Sequence, residues 1–439
     1  MQRKILFVSA GMLREKNDYK IYQTENLYLN YGLLGLATNL HAQGYEVIVY
    51  QADRKAPQAL FDEILSTTEI DRRYPLFLSI PSFYSISWAE DFTEIVKGAC
   101  AMRIVAGGRW VVDRNLTWIK SRLPLVDFFV KGCPDDTIQK YLFSEKWSEL
   151  SAPQCYRAPF RVLEYPLLYQ FQKYPPIIEV ARGCGGGCSF CLESHYPYCP
   201  PKRPVEILEE AETICKVYRK QDLNFYFEGS VFLPTASWAR AFAEEYQRRR
   251  MRFHFRMQSR ADMLLPEAVS ILSTAGLKVL DIGLESASHQ QLISMGKTKD
   301  PAQYLKKAEV LLRTAREHGV WCKLNLLLYA GETADTVEET RSWLQERRSY
   351  FEGISCNPLT VFLDGEHTKD YIQSLERISN TKIDREKLLQ KGYCTFALSP
   401  TMDQGKVRKT VNALYDEFMT PEAYSALKAV SYTPLEDYE

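Results

Sequence analysis

Short apolar runs alternate with helix-period segments along most of this chain, and no other feature limits its fold as tightly. Lys4–Ser9, Glu46–Gln51, Leu76–Ile80, Arg103–Ala106 and Val126–Val130 read as buried strands, with helical patterns such as Tyr31–Gln43, Trp88–Ala101 and Asp135–Leu142 between them. Strands that are apolar on both faces and separated by amphipathic helices pair in parallel, so residues 1–145 are expected to form an α/β doubly wound sheet. Such sheets hold ligands beyond the carboxyl ends of their strands. Ser9-Ala10-Gly11, Pro81-Ser82-Phe83-Tyr84 and Gly107-Gly108 are therefore the candidate binding rim.

Pro153, Pro159, Pro166, Pro175 and Pro176 break the pattern, which makes residues 146–176 a linker. Alternation resumes at Ile177–Ala181 and continues through Asn224–Glu228, Phe253–Gln258, Val279–Leu284, Val320–Leu328 and Ile354–Val361. These give about six βα repeats against the eight of a closed barrel, so residues 177–364 predict a partial, open-sided barrel. Residues 365–439 show no convincing strand, and helical runs such as Lys369–Ile378 and Val407–Phe418 predict a small helical C-terminal cap.

The 55 basic and 55 acidic side chains cancel. A dedicated nucleic-acid or anionic-membrane binder would carry a basic excess, so neither partner is expected. The run Arg248-Arg249-Arg250-Met251-Arg252 reads as a solvated helix end complementing its own dipole. No stretch approaches the ~20 apolar residues of a membrane span. Gln2-Arg3-Lys4 followed by Ile5 to Val8 imitates a secretory signal, but the apolar part is short and runs into Arg14-Glu15-Lys16-Asn17-Asp18, so a buried strand is the better reading. A cytoplasmic protein is expected, with its eleven cysteines as thiols or metal ligands.

The strongest chemical signal is Arg182-Gly183-Cys184-Gly185-Gly186-Gly187-Cys188-Ser189-Phe190-Cys191, directly after the first barrel strand. A loop this compact can present the thiolates of Cys184, Cys188 and Cys191 to one iron–sulfur cubane. A structural zinc site wants four ligands, and only Cys199 and His195 lie near enough in sequence to supply a fourth. The three glycines permit a tight wrap with backbone N–H groups aimed at sulfur. Three ligands for four irons leave one iron open.

This spacing, with an aromatic (Phe190) before the last cysteine, resembles the signature of the radical S-adenosylmethionine (SAM) superfamily. The resemblance implies a [4Fe-4S] cluster whose open iron chelates the amino and carboxylate groups of SAM. It also implies an external one-electron reductant, such as flavodoxin or ferredoxin, whose electron cleaves SAM to methionine and a 5′-deoxyadenosyl radical. Polar residues at the carboxyl ends of the later strands fit the same family: Glu228 in Phe227-Glu228-Gly229-Ser230, Arg260 in Gln258-Ser259-Arg260, Glu285 and Ser286 in Gly283-Leu284-Glu285-Ser286, and Lys297 in Met295-Gly296-Lys297. All five are candidates for gripping SAM. Tyr329-Ala330-Gly331-Glu332-Thr333 is similar to the family's proline-glycine-glutamate-threonine turn, with Ala330 in place of the proline.

The N-terminal layout resembles the cobalamin-binding domain that precedes the barrel in one branch of that superfamily. The matching pieces are Tyr31-Gly32-Leu33-Leu34-Gly35-Leu36-Ala37 with Gly44-Tyr45-Glu46-Val47, then Val105-Ala106-Gly107-Gly108, then Val126-Asp127-Phe128-Phe129-Val130-Lys131-Gly132. Cys133 departs from the acidic residue usual at that place. The resemblance implies cobalamin bound between this domain and the barrel. Asn39-Leu40-His41-Ala42-Gln43-Gly44 imitates a cobalt-ligating histidine motif, but it ends the first helix, with Gly44 as cap, so His41 reads as structural. Phe83 or Tyr84 would then cover the lower face of the cobalamin, unless these aromatics pack against the barrel instead.

Strand alternation turns Cys322 and Cys356 toward the helices, while Lys323 and Asn325 face the barrel interior. Cys133, Cys155, Cys199 and Cys394 stay open as ligands of an auxiliary cluster. The expected reaction is hydrogen abstraction from an unactivated carbon of a small biosynthetic metabolite followed by C-methylation. Sulfur insertion or ring rearrangement is the first alternative, and a non-catalytic cobalamin or metal sensor the second.

Overall fold

The computed structural model describes residues 3–12, 29–132, 134–135, 137–143, 160, 162–364 and 367–430. They form two compact units. The first is built on residues up to Tyr174 together with the 362–368 stretch, the second on Pro175–Val361 and residues from Lys369 onward.

In the first unit, β1 (Ile5–Ser9), β2 (Val47–Gln51), β3 (Leu76–Ser79), β4 (Ile104–Gly107) and β5 (Phe128–Phe129) form one sheet in the order β2-β1-β3-β4-β5. Every pairing is parallel. β1 and β3 are buried throughout, as strands covered on both faces must be. Helices α1 (Tyr31–Ala42), α2 (Pro57–Thr67), α3 (Ile86–Ala99), α4 (Asp113–Arg122) and the single turn α5 (Lys140–Phe143) connect or follow the strands. Helix α3 shows why the alternation works: Ile86, Ala89, Phe92, Thr93 and Val96 recur at three- and four-residue spacing and are all buried. The strand order reverses between β1 and β3, so the sheet has its topological switch point where the sequence places the candidate rim.

His41 lies in the last turn of α1, its Nδ1 3.0 Å from the Tyr45 carbonyl oxygen, and Gly44 (φ 89°) donates its N–H to the His41 carbonyl. The histidine is part of a helix end. Much of the expected linker, including Pro153, Cys155 and Pro159, lies outside the described residues, as do Cys133 and the Arg14 to Asp18 run. The described remainder packs on the first unit: Leu168 bridges Val49, and the Tyr174 hydroxyl donates to Asp53 at 2.7 Å.

The second unit is an open parallel barrel of six strands in sequential order: β6 (Ile177–Glu179), β7 (Asn224–Glu228), β8 (His254–Arg260), β9 (Leu277–Glu285), β10 (Trp321–Leu328) and β11 (Gly353–Pro358). Helices α6 (Pro204–Tyr218), α7 (Ala236–Arg248), α8 (Pro266–Ser273), α9 (His289–Ser294), α10 (Pro301–Glu317) and α11 (Ala334–Glu346) follow β6 to β10. Alternation is sharp along β10, where Cys322 and Leu324 are fully buried while Lys323 and Asn325 keep partial exposure on the other face. Cys356 on β11 is fully buried too, and burial pushes both thiols well up. Phe225 and Phe227 of β7 join Phe255, Phe242 and Phe253 in an aromatic layer against the helices.

From Lys369 onward the chain adds most of α12 (His367–Ser379), with α13 (Arg385–Lys391), α14 (Gln404–Phe418) and α15 (Pro421–Ala429), to this unit. A two-residue strand, Tyr393–Cys394, interrupts the helices of the cap. The end of α15 meets the starts of the barrel strands, where its Ala429 carbonyl accepts from the Asn224 side chain at 2.8 Å and its Leu427 carbonyl from Arg256 Nη1 at 3.1 Å. Arg256 also forks onto the buried Asp281 (Nη2 to Oδ1, 2.6 Å), which holds Lys323 at 3.0 Å. Burial alone would raise the Asp281 carboxyl, but Arg256 and Lys323 overrule it and hold the group well below the usual carboxylate range.

Candidate functional site

The cysteine loop leaves β6 through a buried ion pair, with Arg182 forking onto Glu179 at 2.7 and 2.5 Å. Gly183, Gly185 and Gly187 have φ of 70°, 62° and 70°, a left-handed backbone that favours glycine. At Gly183 the demand is absolute, because a Cβ would lie 2.0 Å from the Pro197 carbonyl oxygen. The Cys184 and Gly185 N–H groups both donate to the Tyr196 carbonyl (3.0 and 2.9 Å). Those two amides therefore fasten the loop to the chain that follows it, where the sequence had suggested they point at sulfur.

Cys188 is buried; Cys184 and Cys191 are half-buried. Among the described residues, no three His, Cys, Asp or Glu side chains converge tightly enough to hold a single metal ion. Cys199 N–H donates to the Arg182 carbonyl, and its thiol lies 3.8 Å from the Pro197 carbonyl oxygen. The His195 side chain lies outside the described residues.

Later strands bring their ends to this loop. Arg260, last in β8, is buried, and its Nη1 donates to the Cys188 sulfur at 3.1 Å. Ser189 donates from its N–H and its hydroxyl to the Met295 carbonyl (both 2.9 Å), and its hydroxyl lies 3.1 Å from that of Tyr329. The Phe190 ring meets Tyr329 edge-on at 6.3 Å. Lys297, two residues past Met295, is buried and forms an ion pair of 2.8 Å with Glu285, last in β9. Glu228, last in β7, is in register with Glu179 and is half-buried. Ser230 then donates to Glu193 at 2.6 Å, tying the same strand end to the turn after Cys191.

Ser286 is not gathered with these groups. Its buried hydroxyl pairs with Thr340 of α11 at 3.0 Å and accepts from the Ser288 N–H. The Tyr329 to Thr333 stretch is a tight turn with Gly331 at φ 82°, and Thr333 caps α11. Glu332 is buried there, accepting from the Thr336 hydroxyl (2.6 Å) and the Tyr329 N–H (3.2 Å), and burial pushes its carboxyl up to about 7.

In the first unit, the side chain of Ser82 caps the turn that carries Phe83 and Tyr84. Phe83 is buried in an aromatic cluster, with ring centroids 4.5 Å from Trp110, 5.4 Å from Trp118 and 6.0 Å from Phe362. Tyr84 is half-buried and meets Phe362 edge-on. Gly108 (φ 125°) passes so close to β3 that a Cβ would sit 2.4 Å from the Ile80 carbonyl oxygen, whereas one at Gly107 would make ordinary contacts at 3.5 Å. At the switch point, the Asn30 side chain donates to Ser9 and Ser79 (both 2.9 Å). The fully buried Ser85 hydroxyl, beside the Ser82 to Tyr84 turn, has no hydrogen-bond partner among the described residues.

Residues 178–344 match the model of the radical SAM superfamily. The match runs from β6 into α11, the greater part of the open barrel. No curated protein matches the sequence. Solved structures do match the fold. The radical SAM methyltransferase TsrM from Kitasatospora setae, in a structure with cobalamin and a [4Fe-4S] cluster, superposes with a TM-score of 0.61 at 15% identity, over 87% of this chain and 80% of that one. Its structure with tryptophan and a SAM analogue gives 0.63 over 87% and 78%, again at 15%. The cobalamin-dependent SAM radical enzyme OxsB, with aqua-cobalamin bound, gives 0.68 at 15% identity over 97% of this chain and 70% of that one. The two-part α/β fold of this chain is therefore similar to the folds of TsrM and OxsB.

The residues of the cysteine loop fit a [4Fe-4S] cluster on Cys184, Cys188 and Cys191: three free thiols on one compact loop, with a guanidinium N–H on one sulfur. The first unit fits a corrinoid less specifically, through the switch point, the orphan Ser85 hydroxyl and the Gly107-Gly108 rim. The enclosed Phe83 is part of a packed cluster, which leaves Tyr84 as the rim aromatic with an accessible side.

Several supporting residues were missed from sequence. Arg182 and Glu179 pair across three residues, and Asp262 receives Arg260 across two; such short charge spacings at a strand end were a usable signal. Tyr304 of α10, whose hydroxyl donates to the Gly283 carbonyl at 2.9 Å, and Trp110 gave none, because their partners are far away in sequence.

Proposed function

We propose that this protein is a cobalamin-dependent radical SAM enzyme that C-methylates a small biosynthetic metabolite at an unactivated carbon. The reading is carried by one observation above the rest: three thiols on a glycine-wrapped loop at the carboxyl end of an open barrel, one of them accepting a hydrogen bond from the buried Arg260 of β8. When bound, the cluster and methylcobalamin supply reductive SAM cleavage and a transferable methyl group.

The residues of this chain hold and orient. Cys184, Cys188 and Cys191 are the cluster ligands. Lys297 pairs with Glu285 and fixes it where it can accept from a ligand's ammonium or ribose hydroxyl, and Glu228 offers a second carboxylate two strands away. Buried Cys188, Arg260 and Lys297 mark a site from which water is largely excluded, as a reactive radical requires. No helix among the described residues is long and apolar enough to cross a membrane. A reducing compartment such as the cytoplasm suits the thiols, and a flavodoxin or ferredoxin suits the electron supply.

Anaerobic reconstitution with iron, sulfide and hydroxocobalamin, followed by turnover with SAM and a reductant, tests this reading. Expected are a cubane absorption band, retained corrinoid, and S-adenosylhomocysteine released together with 5′-deoxyadenosine once a substrate is supplied. 5′-Deoxyadenosine alone would point to rearrangement. Iron and sulfide beyond one cubane would point to sulfur insertion, and a protein that never cleaves SAM would overturn the enzyme reading.

A further inference from the structure

Arg260 was expected among the residues that grip SAM, yet its guanidinium is committed elsewhere. Nε and Nη2 fork onto Asp262 (3.0 and 3.1 Å), Nη2 also donates to the Lys297 carbonyl (2.9 Å), and Nη1 donates to the Cys188 sulfur at 3.1 Å. The cysteine loop is shaped around this contact. A Cβ on Gly186 would lie 2.6 Å from Arg260 Nη1 and 3.1 Å from the Cys184 sulfur, so the middle glycine leaves the space through which the guanidinium reaches between two cysteines.

We propose that Arg260 is a positioning residue that sets the reduction potential of the cluster on this loop, through a charge-assisted hydrogen bond to the Cys188 sulfur, with Asp262 and Gly186 fixing the aim of its guanidinium. This rests on the reading of the loop as a [4Fe-4S] site. One electron from the external donor adds one negative charge to the cluster, part of it on the cysteine sulfurs. A buried cation donating to one sulfur stabilises that added charge more than it stabilises the oxidised form, so reduction becomes easier. Lysine has one ammonium and no fork, and could not hold Asp262, the Lys297 carbonyl and the sulfur at once. The geometry therefore calls for arginine.

The test is a redox titration of the reconstituted holoenzyme, followed by electron paramagnetic resonance of the reduced cluster, for wild type, Arg260→Gln, Arg260→Lys, Asp262→Asn and Gly186→Ala. Arg260→Gln is expected to lower the equilibrium constant for one-electron reduction about tenfold, a shift of ~59 mV to more negative potential. Arg260→Lys and Asp262→Asn should move the same way by less, and Gly186→Ala, which displaces the guanidinium, should imitate them. A purely structural Arg260 would change iron retention or thermal stability and leave the potential of the retained cluster alone. Should Arg260→Gln fail to take up iron, Asp262→Asn and Gly186→Ala carry the measurement. A wild-type protein that builds no cubane overturns the proposed function and this inference together. Wild-type and variant cubanes with equal potentials overturn the inference alone.

Discussion

Lys297 reaches Glu285 across 2.8 Å at the end of β9, and the backbone of Glu285 is held at φ 66° to meet it. A residue with a long side chain rarely occupies that left-handed region unless the surroundings impose it, and such strain gathers at binding sites.

This pairing gives an unusual stability order. Glu285→Ala leaves the buried Lys297 ammonium without its carboxylate and keeps the backbone strain, with an expected cost of ~3 kcal/mol or more. Glu285→Gly loses the same ion pair but relieves the strain, worth ~1–2 kcal/mol in a left-handed conformation. Denaturant unfolding should therefore find glycine at least as stable as alanine here, and a clear alanine advantage would show that the φ is not imposed.

Glu332 gives a pH dependence with a definite sign. Its folded carboxyl is raised to about 7 from an ordinary 4.5, so between those values the folded protein binds a proton that the unfolded chain has lost. Stability falls as pH rises through that window, by on the order of 3 kcal/mol at full ionisation. Glu332→Gln keeps an acceptor for Thr336 and the Tyr329 N–H and should remove this fall. Urea unfolding at pH 5 and pH 8 is the measurement, and equal slopes for variant and wild type would refute the assignment.

At Asp281 the sign is opposite. Its folded carboxyl is held below the unfolded value near 3.8, so its stabilisation is complete above that value and is lost as pH falls toward the folded one. Asp281→Asn at neutral pH leaves Arg256 and Lys323 without a counter-charge inside the barrel, at an expected cost of ~3–5 kcal/mol. Calorimetry of the variant reads this directly.

The two rim glycines should behave differently. Gly108→Ala forces a Cβ to within 2.4 Å of a backbone oxygen at φ 125°, whereas a Cβ at Gly107 would meet only ordinary contacts at 3.5 Å. Hydrogen exchange across β3 and β4 should accelerate strongly for Gly108→Ala, matching a loss of more than ~2 kcal/mol, and hardly change for Gly107→Ala.

Iron and sulfide analysis of reconstituted cysteine variants separates ligands from bystanders. Cys184→Ala, Cys188→Ala and Cys191→Ala are each expected to lose most of the bound iron. Cys199→Ala, whose thiol lies 3.8 Å from the Pro197 carbonyl oxygen, should match wild type. A deficit in Cys199→Ala would make it a fourth ligand and close the iron on which SAM binding depends.

Much of this architecture was legible because two periods, near 2 and near 3.6, alternate cleanly. The strand at Asn224–Glu228 was placed to the residue, and Cys322 and Cys356 were turned toward the helices by alternation alone. The cysteine loop was legible because its chemistry depends on local spacing. The partnerships were not. Ser286 looked like a ligand residue from its place at a strand end, yet its hydroxyl serves Thr340, 54 residues on. Phe83 looked like a ligand cover until Trp110, Trp118 and Phe362 enclosed it. Side-chain direction at a strand end depends on what the next helix brings back, and no local pattern encodes that.

The carbonyls of Leu427 and Ala429 quench Arg256 and Asn224 from more than sixty residues beyond the last barrel strand. A ribosome that has already made all six strands has therefore not yet supplied the groups that seal their lower ends. Until α15 is made, Asn224 and the Nη1 of Arg256 lack these acceptors, so the lower end of the barrel is completed by the last helix described rather than by the strands themselves.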